Sequence, residues 1–197
     1  EVSPLQFRIG SATLTPVGFV DFMAVFRTTN PGTGVGTNFG SIPYNTSPAG
    51  NLSEVRFSSQ NSRVGIRVDA VVKNSNVLGY LETDFLGAAP ANASVSSNGA
   101  QLRLRVFWAS VRKKKWELLA GQSWSLLTPN RKGLSPLPAD LFYSQVVDVN
   151  YQNGLAWSRA AQFRLVYHPS DTVALGFSLE NPDQYIGGSG GGGLITL

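Results

Sequence analysis

The feature that most constrains the fold of this 197-residue chain is an alternation of apolar and polar side chains with a period of two. It is clearest over Arg63–Val72, where Val64 and Ile66 fall on one face and Arg67 and Asp69 on the other. A β-strand directs successive side chains to opposite faces, so the pattern predicts strands with one apolar and one polar face. We therefore predict an all-β protein.

Seven segments show this alternation or have the composition of a strand. Most are about ten residues long, which is the length that a tilted strand needs to cross a bilayer. The residues Leu194–Leu197 are predicted to begin an eighth strand. The seven segments are Thr15–Arg27, Arg63–Val72, Val77–Leu86, Gln101–Val111, Trp116–Ser125, Gln162–Tyr167 and Val173–Leu179.

The connections between these segments alternate strictly between short and long. Transmembrane β-barrels have short periplasmic turns and long outer loops, whereas a soluble sandwich has no reason to keep such an alternation. The pattern predicts a transmembrane antiparallel up-and-down β-barrel. The short turns are 73–76, 112–115 and 168–172, and the long loops are 28–53, 87–100, 126–154 and 181–193.

Composition and strand number refine this prediction. Only 14% of the residues are charged, 11% are aromatic, and there is no cysteine and hence no disulfide framework. No apolar run is long enough for a transmembrane helix. A barrel must close, and bacterial single-chain barrels use an even number of strands. Residues 1–197 are therefore expected to be one porin-type barrel domain, an N-terminal fragment with seven to eight strands of a larger barrel.

Five stretches, in this order and spacing, resemble the DcaP-like porins, a family of trimeric outer-membrane channels for dicarboxylates and similar anions. The resemblance extends from Glu54 to about Gly187 and implies a barrel of about sixteen strands. It also implies a homotrimer in the bacterial outer membrane that contacts lipid and passes small anionic solutes. No heptad pattern marks a coiled coil at the N-terminus. The stretches are Ser62–Val68, Gly79–Phe85, Gln101–Arg105, Leu119–Trp124 and Ala161–Arg164.

The polar face would line the pore of such a barrel. One interpretation is that its carboxylates pair with its arginines and hold the wall in shape. The other is an arginine ladder with free positive charge, which would attract anions and bind carboxylates through the planar guanidinium. The predicted pore-lining residues are Arg63, Arg67, Arg103, Arg105, Arg164, Asp69, Glu82 and Asp84, with Asp21 on the same face.

Features outside the polar face carry further predictions. In Gln101–Val111, strict alternation puts Val106 and Trp108 on the apolar face. With Tyr167 and Phe85, Trp108 would suit an aromatic girdle at the membrane interface. The basic turn Lys113–Lys115 is either solvated or in contact with phospholipid headgroups. The long loop Leu126–Gly154 could fold inward and constrict the channel.

Signatures of enzymes and of nucleic-acid binding are absent from the sequence. The single histidine, His168, stands beside Pro169 in a turn, and a zinc site lacks both cysteine and a second histidine. No nucleotide-binding motif occurs, and the basic residues are spread along the chain. We expect no enzymatic activity and no cofactor. Two alternatives stay open: a soluble β-barrel or sandwich that binds a ligand through Trp124 or Trp157, and a structural outer-membrane barrel with a plugged lumen.

Overall fold

The computed structural model describes residues 5–37, 39–87, 100–128, 133–137, 159–181, 184–186 and 193–195. Within these ranges the chain forms strands and two short 3-10 helices, Phe39–Ser41 and Pro48–Asn51. None of the described helices is long and apolar enough to cross a membrane. The strands are β1 Phe7–Ile9, β2 Ala12–Phe19, β3 Met23–Arg27, β4 Glu54–Ser58, β5 Arg63–Val72, β6 Ser75–Asp84, β7 Arg103–Lys113, β8 Trp116–Trp124, β9 Arg159–Tyr167, β10 Leu175–Glu180, β11 Gln184–Ile186 and β12 Gly193–Ile195.

Eight strands form one antiparallel sheet in the order β1-β2-β5-β6-β7-β8-β9-β10. Each strand pairs with its neighbour along the chain, except that the β3–β4 hairpin intervenes between β2 and β5. This up-and-down arrangement confirms the predicted all-β, antiparallel fold. Strand β5 has the bounds predicted for Arg63–Val72. Three connections in the main sheet are two-residue turns, at Gly10-Ser11, Lys73-Asn74 and Lys114-Lys115.

The first predicted strand, Thr15–Arg27, is wrong as a single element. It divides into β2, which joins the main sheet, and β3, which pairs with β4 in a separate sheet. The break lies at Asp21, whose backbone N–H donates to Ser62 Oγ (2.9 Å) and whose carboxylate accepts from Asn61 Nδ2 (2.8 Å). These side-chain hydrogen bonds replace the ladder bonds of a continuous strand.

The predicted eighth strand also differs from the structure. Its described part, β12, pairs with β11 in a two-stranded sheet of their own and does not join β10. The chain therefore turns back on itself after the main sheet, in a segment that the sequence pattern assigns to a loop.

The main sheet has two faces of opposite character. The outer face carries apolar side chains that are between about two fifths and two thirds exposed, and no second layer of the described chain covers it. A soluble sandwich would bury such a face, whereas a lipid-facing barrel wall leaves it open. Its residues include Val64, Ile66, Leu104, Phe107, Val111, Leu118, Phe163, Leu165, Phe177 and Leu179.

A β-bulge in β7 changes which residues lie on the inner face. Glu82 is opposite Val106 and Thr83 is opposite Leu104, so Arg105 is the extra residue. A bulge reverses the alternation beyond it. Val106 therefore faces inward beside Arg105, and the prediction that Val106 and Trp108 lie on the apolar outer face is wrong.

The inner face beyond the bulge holds a small apolar core. Tyr80, Val106, Trp108 and Leu119 are buried together, and the Tyr80 and Trp108 rings are stacked at 5.8 Å. Gly121 lies opposite Trp108 with φ +129°, and a Cβ there would collide with the Phe107 carbonyl oxygen and Trp108 Cα. Glycine thus permits the close approach of β7 and β8 at this point.

Candidate functional site

The inner face brings all eight predicted pore-lining residues to one side of the sheet. Cross-strand register alone aligns Arg63 with Asp84, and Asp84 with Arg103. Opposite residues in an antiparallel pair project to the same face, so these charges meet. The residues that share this face are Arg63, Arg67, Asp69, Glu82, Asp84, Arg103, Arg105 and Arg164.

Glu82 and Asp84 form the centre of an ion-pair network. Arg105 donates from Nε to Glu82 Oε1 (2.9 Å) and from Nη1 to Asp84 Oδ2 (2.7 Å), so it bridges the two carboxylates. Arg103 holds Asp84 with two further bonds of 3.0 and 2.7 Å, and Arg63 reaches Glu82 at 3.3 Å. The β-bulge makes this bridge possible, because it places Arg105 between the two acids.

The network contains more positive than negative charge. Arg159 lies within electrostatic range of Arg63, Arg103 and Arg105. The Trp124 ring is close to two of the guanidinium groups, with Arg105 Cζ and Arg159 Cζ 5.9 and 5.1 Å from its centroid. Four arginines therefore face two carboxylates, an excess of two positive charges.

Arg159 was missed by the sequence analysis, and its placement explains why. The predicted sixth strand began at Gln162, whereas β9 begins at Arg159. A single arginine before an alternating segment has no distinguishing pattern. In the described part of the chain its Nη1 is buried without a hydrogen-bond partner, which leaves one donor of the network available.

Arg67 and Asp69 form a second, separate pair farther along β5. Two hydrogen bonds of 2.8 and 2.7 Å join the guanidinium to the carboxylate. Both side chains are about two fifths exposed, at 38% and 42%. The pair is neutral and solvated, so it adds little to the charge excess.

Arg164 has a different environment from the other arginines. It is 1% exposed, and its guanidinium donates twice to Gln162 Oε1, at 3.0 and 2.7 Å. It also donates to the carbonyl of Trp124 at 2.6 Å and to that of Leu134 at 3.4 Å. Arg164 therefore ties residues of the long loop to the wall.

Residues 133–137 are the described middle part of the predicted loop Leu126–Gly154, and they lie against the inner face. Leu137 packs on the apolar core, and Leu134 Cδ1 lies 2.5 Å from the place where a Cβ on Gly176 would stand. Together with the strands, residues 133–136 line a cleft of about 1070 Å³. At the short-turn end of that cleft, His168 Nε2 lies 3.2 Å from Glu117 Oε2.

Two of the three aromatic residues predicted for a girdle, Tyr167 and Phe85, lie near opposite edges of the outer face. Trp116 and Tyr167 are cross-strand neighbours at the short-turn edge, with ring centroids 4.5 Å apart. Phe85 lies at the opposite edge, in a groove with Pro16 and Val64. Trp108 is wrongly assigned to this girdle, because the bulge turns it inward, where it is 2% exposed.

The remaining candidate residues give no other kind of site. No group of three or more potential metal ligands occurs within the described ranges. Trp157, considered for ligand stacking, lies outside the described residues. Trp124 is engaged with Arg105 and Arg159.

Comparison with known proteins supports the fold. No protein-family model matches the sequence, and no curated protein matches it significantly. The structure is similar to the crystal structure of the outer membrane channel DcaP of Acinetobacter baumannii, with a TM-score of 0.61 and 20% sequence identity. The similarity covers 91% of this chain and 44% of that channel. This chain thus has the fold of a porin-type barrel wall and spans less than half the length of that channel.

Proposed function

We propose that this chain forms part of the wall of an outer-membrane channel through which small hydrophilic solutes diffuse passively. The main support is the difference between the two faces of the sheet. The outer face is apolar and uncovered, and the inner face holds a buried network of charged side chains. Such a wall is stable when lipid covers one side and water fills the other. The likeness to an outer membrane channel points the same way.

We further propose that the channel prefers anions, with dicarboxylates as candidate solutes. The support is the excess of four arginines over two carboxylates around Glu82 and Asp84. Positive charge at a pore wall raises the local concentration of anions. The exposed member of the network is Arg103, whose side chain is 38% exposed, whereas Arg105 is 6% exposed. Arg103 is therefore the arginine best placed to meet a solute.

The inward-packed residues 133–137 support a narrowed channel at this level of the wall. Pro136 is buried and Leu137 lies on the core, so the segment takes up space beside the inner face. Location in the bacterial outer membrane and assembly as a homotrimer belong to the same proposal. Heat-modifiable migration and cross-linking in detergent would test those two parts.

A reversal potential in a planar bilayer under a salt gradient tests the main proposal. The protein made from its complete reading frame should pass current whose reversal potential has the sign for anions. Arg103→Ala should lower the anion preference about threefold, because a unit charge about 7 Å from the solute in water is worth about 0.6 kcal/mol. Arg103→Lys keeps the charge and should keep most of the preference.

The outcomes separate the alternatives. Well-folded protein that passes no current would favour a plugged structural barrel, and a soluble protein without detergent would favour a ligand-binding sandwich. A cation-selective current would keep the channel and reject the role of the arginines.

A further inference from the structure

We infer that the short-turn edge of the sheet carries a binding site for the phosphate headgroup of an anionic phospholipid. The site comprises Lys113, Lys114 and Lys73 together with the aromatic pair Trp116 and Tyr167. This inference rests on the proposed membrane location but is independent of which ions the channel passes.

The first observation is an unusual backbone conformation at two lysines. Lys73 has φ +46° and Lys114 has φ +54°, each at the first position of a two-residue hairpin turn. Gly is favoured at such positions because it has no Cβ, and Asn and Asp are favoured because their short polar side chains can bond to the local backbone. The turns of two separate hairpins on the same edge thus place a lysine where local structure disfavours it, which points to a use for the charge.

The second observation is that these cations are exposed and uncompensated. Lys73, Lys113 and Lys114 are exposed and make no ion pair with any described residue. Glu117, the acid nearest to Lys113 and Lys114 along the chain, faces inward and pairs with His168. Asp69, the acid nearest to Lys73, pairs with Arg67. The two turns are separated by roughly 10 Å, two strand spacings, so both can reach one cluster of headgroups.

The third observation concerns the surface beneath the lysines. Lys113 is the cross-strand neighbour of Trp116, and Trp116 packs on Tyr167 at 4.5 Å. Amphipathic rings of this kind lie at the level of lipid headgroups. The outer face below them continues with exposed Val111, Leu118 and Leu165, which suit acyl chains.

These features fit an anionic phospholipid better than bulk solvent. A turn that contacts only water needs neither aromatic neighbours nor an apolar surface. An anionic lipid has a headgroup that a cation binds, an interfacial region that an aromatic ring contacts, and acyl chains that an apolar wall contacts. Lys115 is tied to the next turn by a 3.0 Å hydrogen bond from Nζ to the Pro169 carbonyl, which holds the edge in place. Basic clusters beside membrane spans attract anionic headgroups by charge.

Native mass spectrometry of the complete protein tests this inference. The protein would be transferred from nanodiscs with equal amounts of phosphatidylglycerol and phosphatidylcholine, and the lipids retained would be counted. We expect the unmodified protein to retain phosphatidylglycerol preferentially. The double variant Lys113→Gln, Lys114→Asn should lose about fivefold in preference per lysine removed. Asparagine tolerates the positive φ at 114, so the turn should keep its shape.

The control is Arg56→Gln, which removes an exposed cation from the β3–β4 hairpin and should keep the preference. Equal retention of the two lipids by the unmodified protein would overturn the inference, as would an unchanged preference in the double variant. Lys73→Asn supplies a second variant should the double variant not fold. The reversal potential of the same preparation reports on the proposed function separately, because a channel without lipid preference still conducts.

Discussion

At the scale of single residues, the arginines of the inner face divide into different roles. The Arg105 side chain is 6% exposed and bridges two buried carboxylates, whereas Arg103 combines one ion pair with exposure to solvent. Among the described residues, Arg164 bonds to uncharged oxygens, those of Gln162, Trp124 and Leu134. The acids of the network are therefore paired with arginines, and the remaining positive charge is the basis of the proposed anion preference.

The first prediction concerns Arg105. Arg105→Gln removes a bond from each of two buried carboxylates, and breaking a buried ion pair costs about 3–5 kcal/mol. The free energy of unfolding in lipid vesicles, measured with urea and tryptophan fluorescence, should fall by that amount. Arg67→Gln removes a solvated pair and should cost at most about 1 kcal/mol. Equal losses in the two variants would contradict the bridging role.

Sequence pattern placed the eight polar-face residues correctly because alternation sets the face of each one. It could not assign their partners, which depend on strand register and on the reach of each side chain. Arg105 and Arg164 occupy similar positions in the pattern, yet one pairs with acids and the other with backbone carbonyls. Arg159 was missed because nothing in the pattern marked the true start of β9.

At the scale of elements, the bulge in β7 has the largest effect on the predictions. One inserted residue, Arg105, moved Val106 and Trp108 from the expected outer face to the inner core. Strict alternation cannot reveal a bulge, because the residues on both sides are apolar. Similarly, the split of the first strand depends on Ser62 and Asn61, which are forty residues away from Asp21 in sequence.

The second prediction tests whether the Trp116 ring lies on the outer face of the sheet and the Trp108 ring on the inner face. In vesicles with brominated acyl chains, Trp116 should be quenched because its ring lies on the outer face, 52% exposed. Trp108 should be shielded because it is 2% exposed on the inner face. If quenching is lost in Trp116→Phe but kept in Trp108→Phe, Trp116 is the quenched residue. If quenching is instead lost in Trp108→Phe, the Trp108 ring contacts lipid, which would contradict the bulge.

The third prediction concerns the inward segment 133–137. Arg164→Gln removes bonds to the Trp124 and Leu134 carbonyls, which should free the segment from the wall. We expect a larger single-channel conductance, with a loss of about 1–3 kcal/mol in unfolding free energy from the unpaired groups. Arg67 bonds to Asp69 and to no residue of the described loop segment, so Arg67→Gln should leave the conductance level unchanged. A conductance that does not rise would contradict the role of Arg164 in holding the segment against the wall.

At the scale of the whole molecule, the alternation of short and long connections was the most informative signal. It predicted the antiparallel order of the main sheet without knowledge of any contact. It did not predict β11, a three-residue strand in a segment without alternation, nor that the predicted start of an eighth strand, where β12 lies, would pair with β11 instead of β10. The strands of the main sheet are therefore predictable from the sequence where they are long and alternate in polarity. The short hairpins outside the main sheet are not predictable in this way.

The sequential order of the main sheet has a consequence for assembly kinetics. The β5–β6 and β7–β8 hairpins close through two residues, so each loses little chain entropy on closure. Short hairpins form in about 1–10 μs, whereas the pairing of β2 with β5 must wait for the β3–β4 hairpin and its loop to be ordered. The wall should accordingly grow outward from the β5–β6 and β7–β8 hairpins. The β1–β2 hairpin, which also closes through two residues, should be added late.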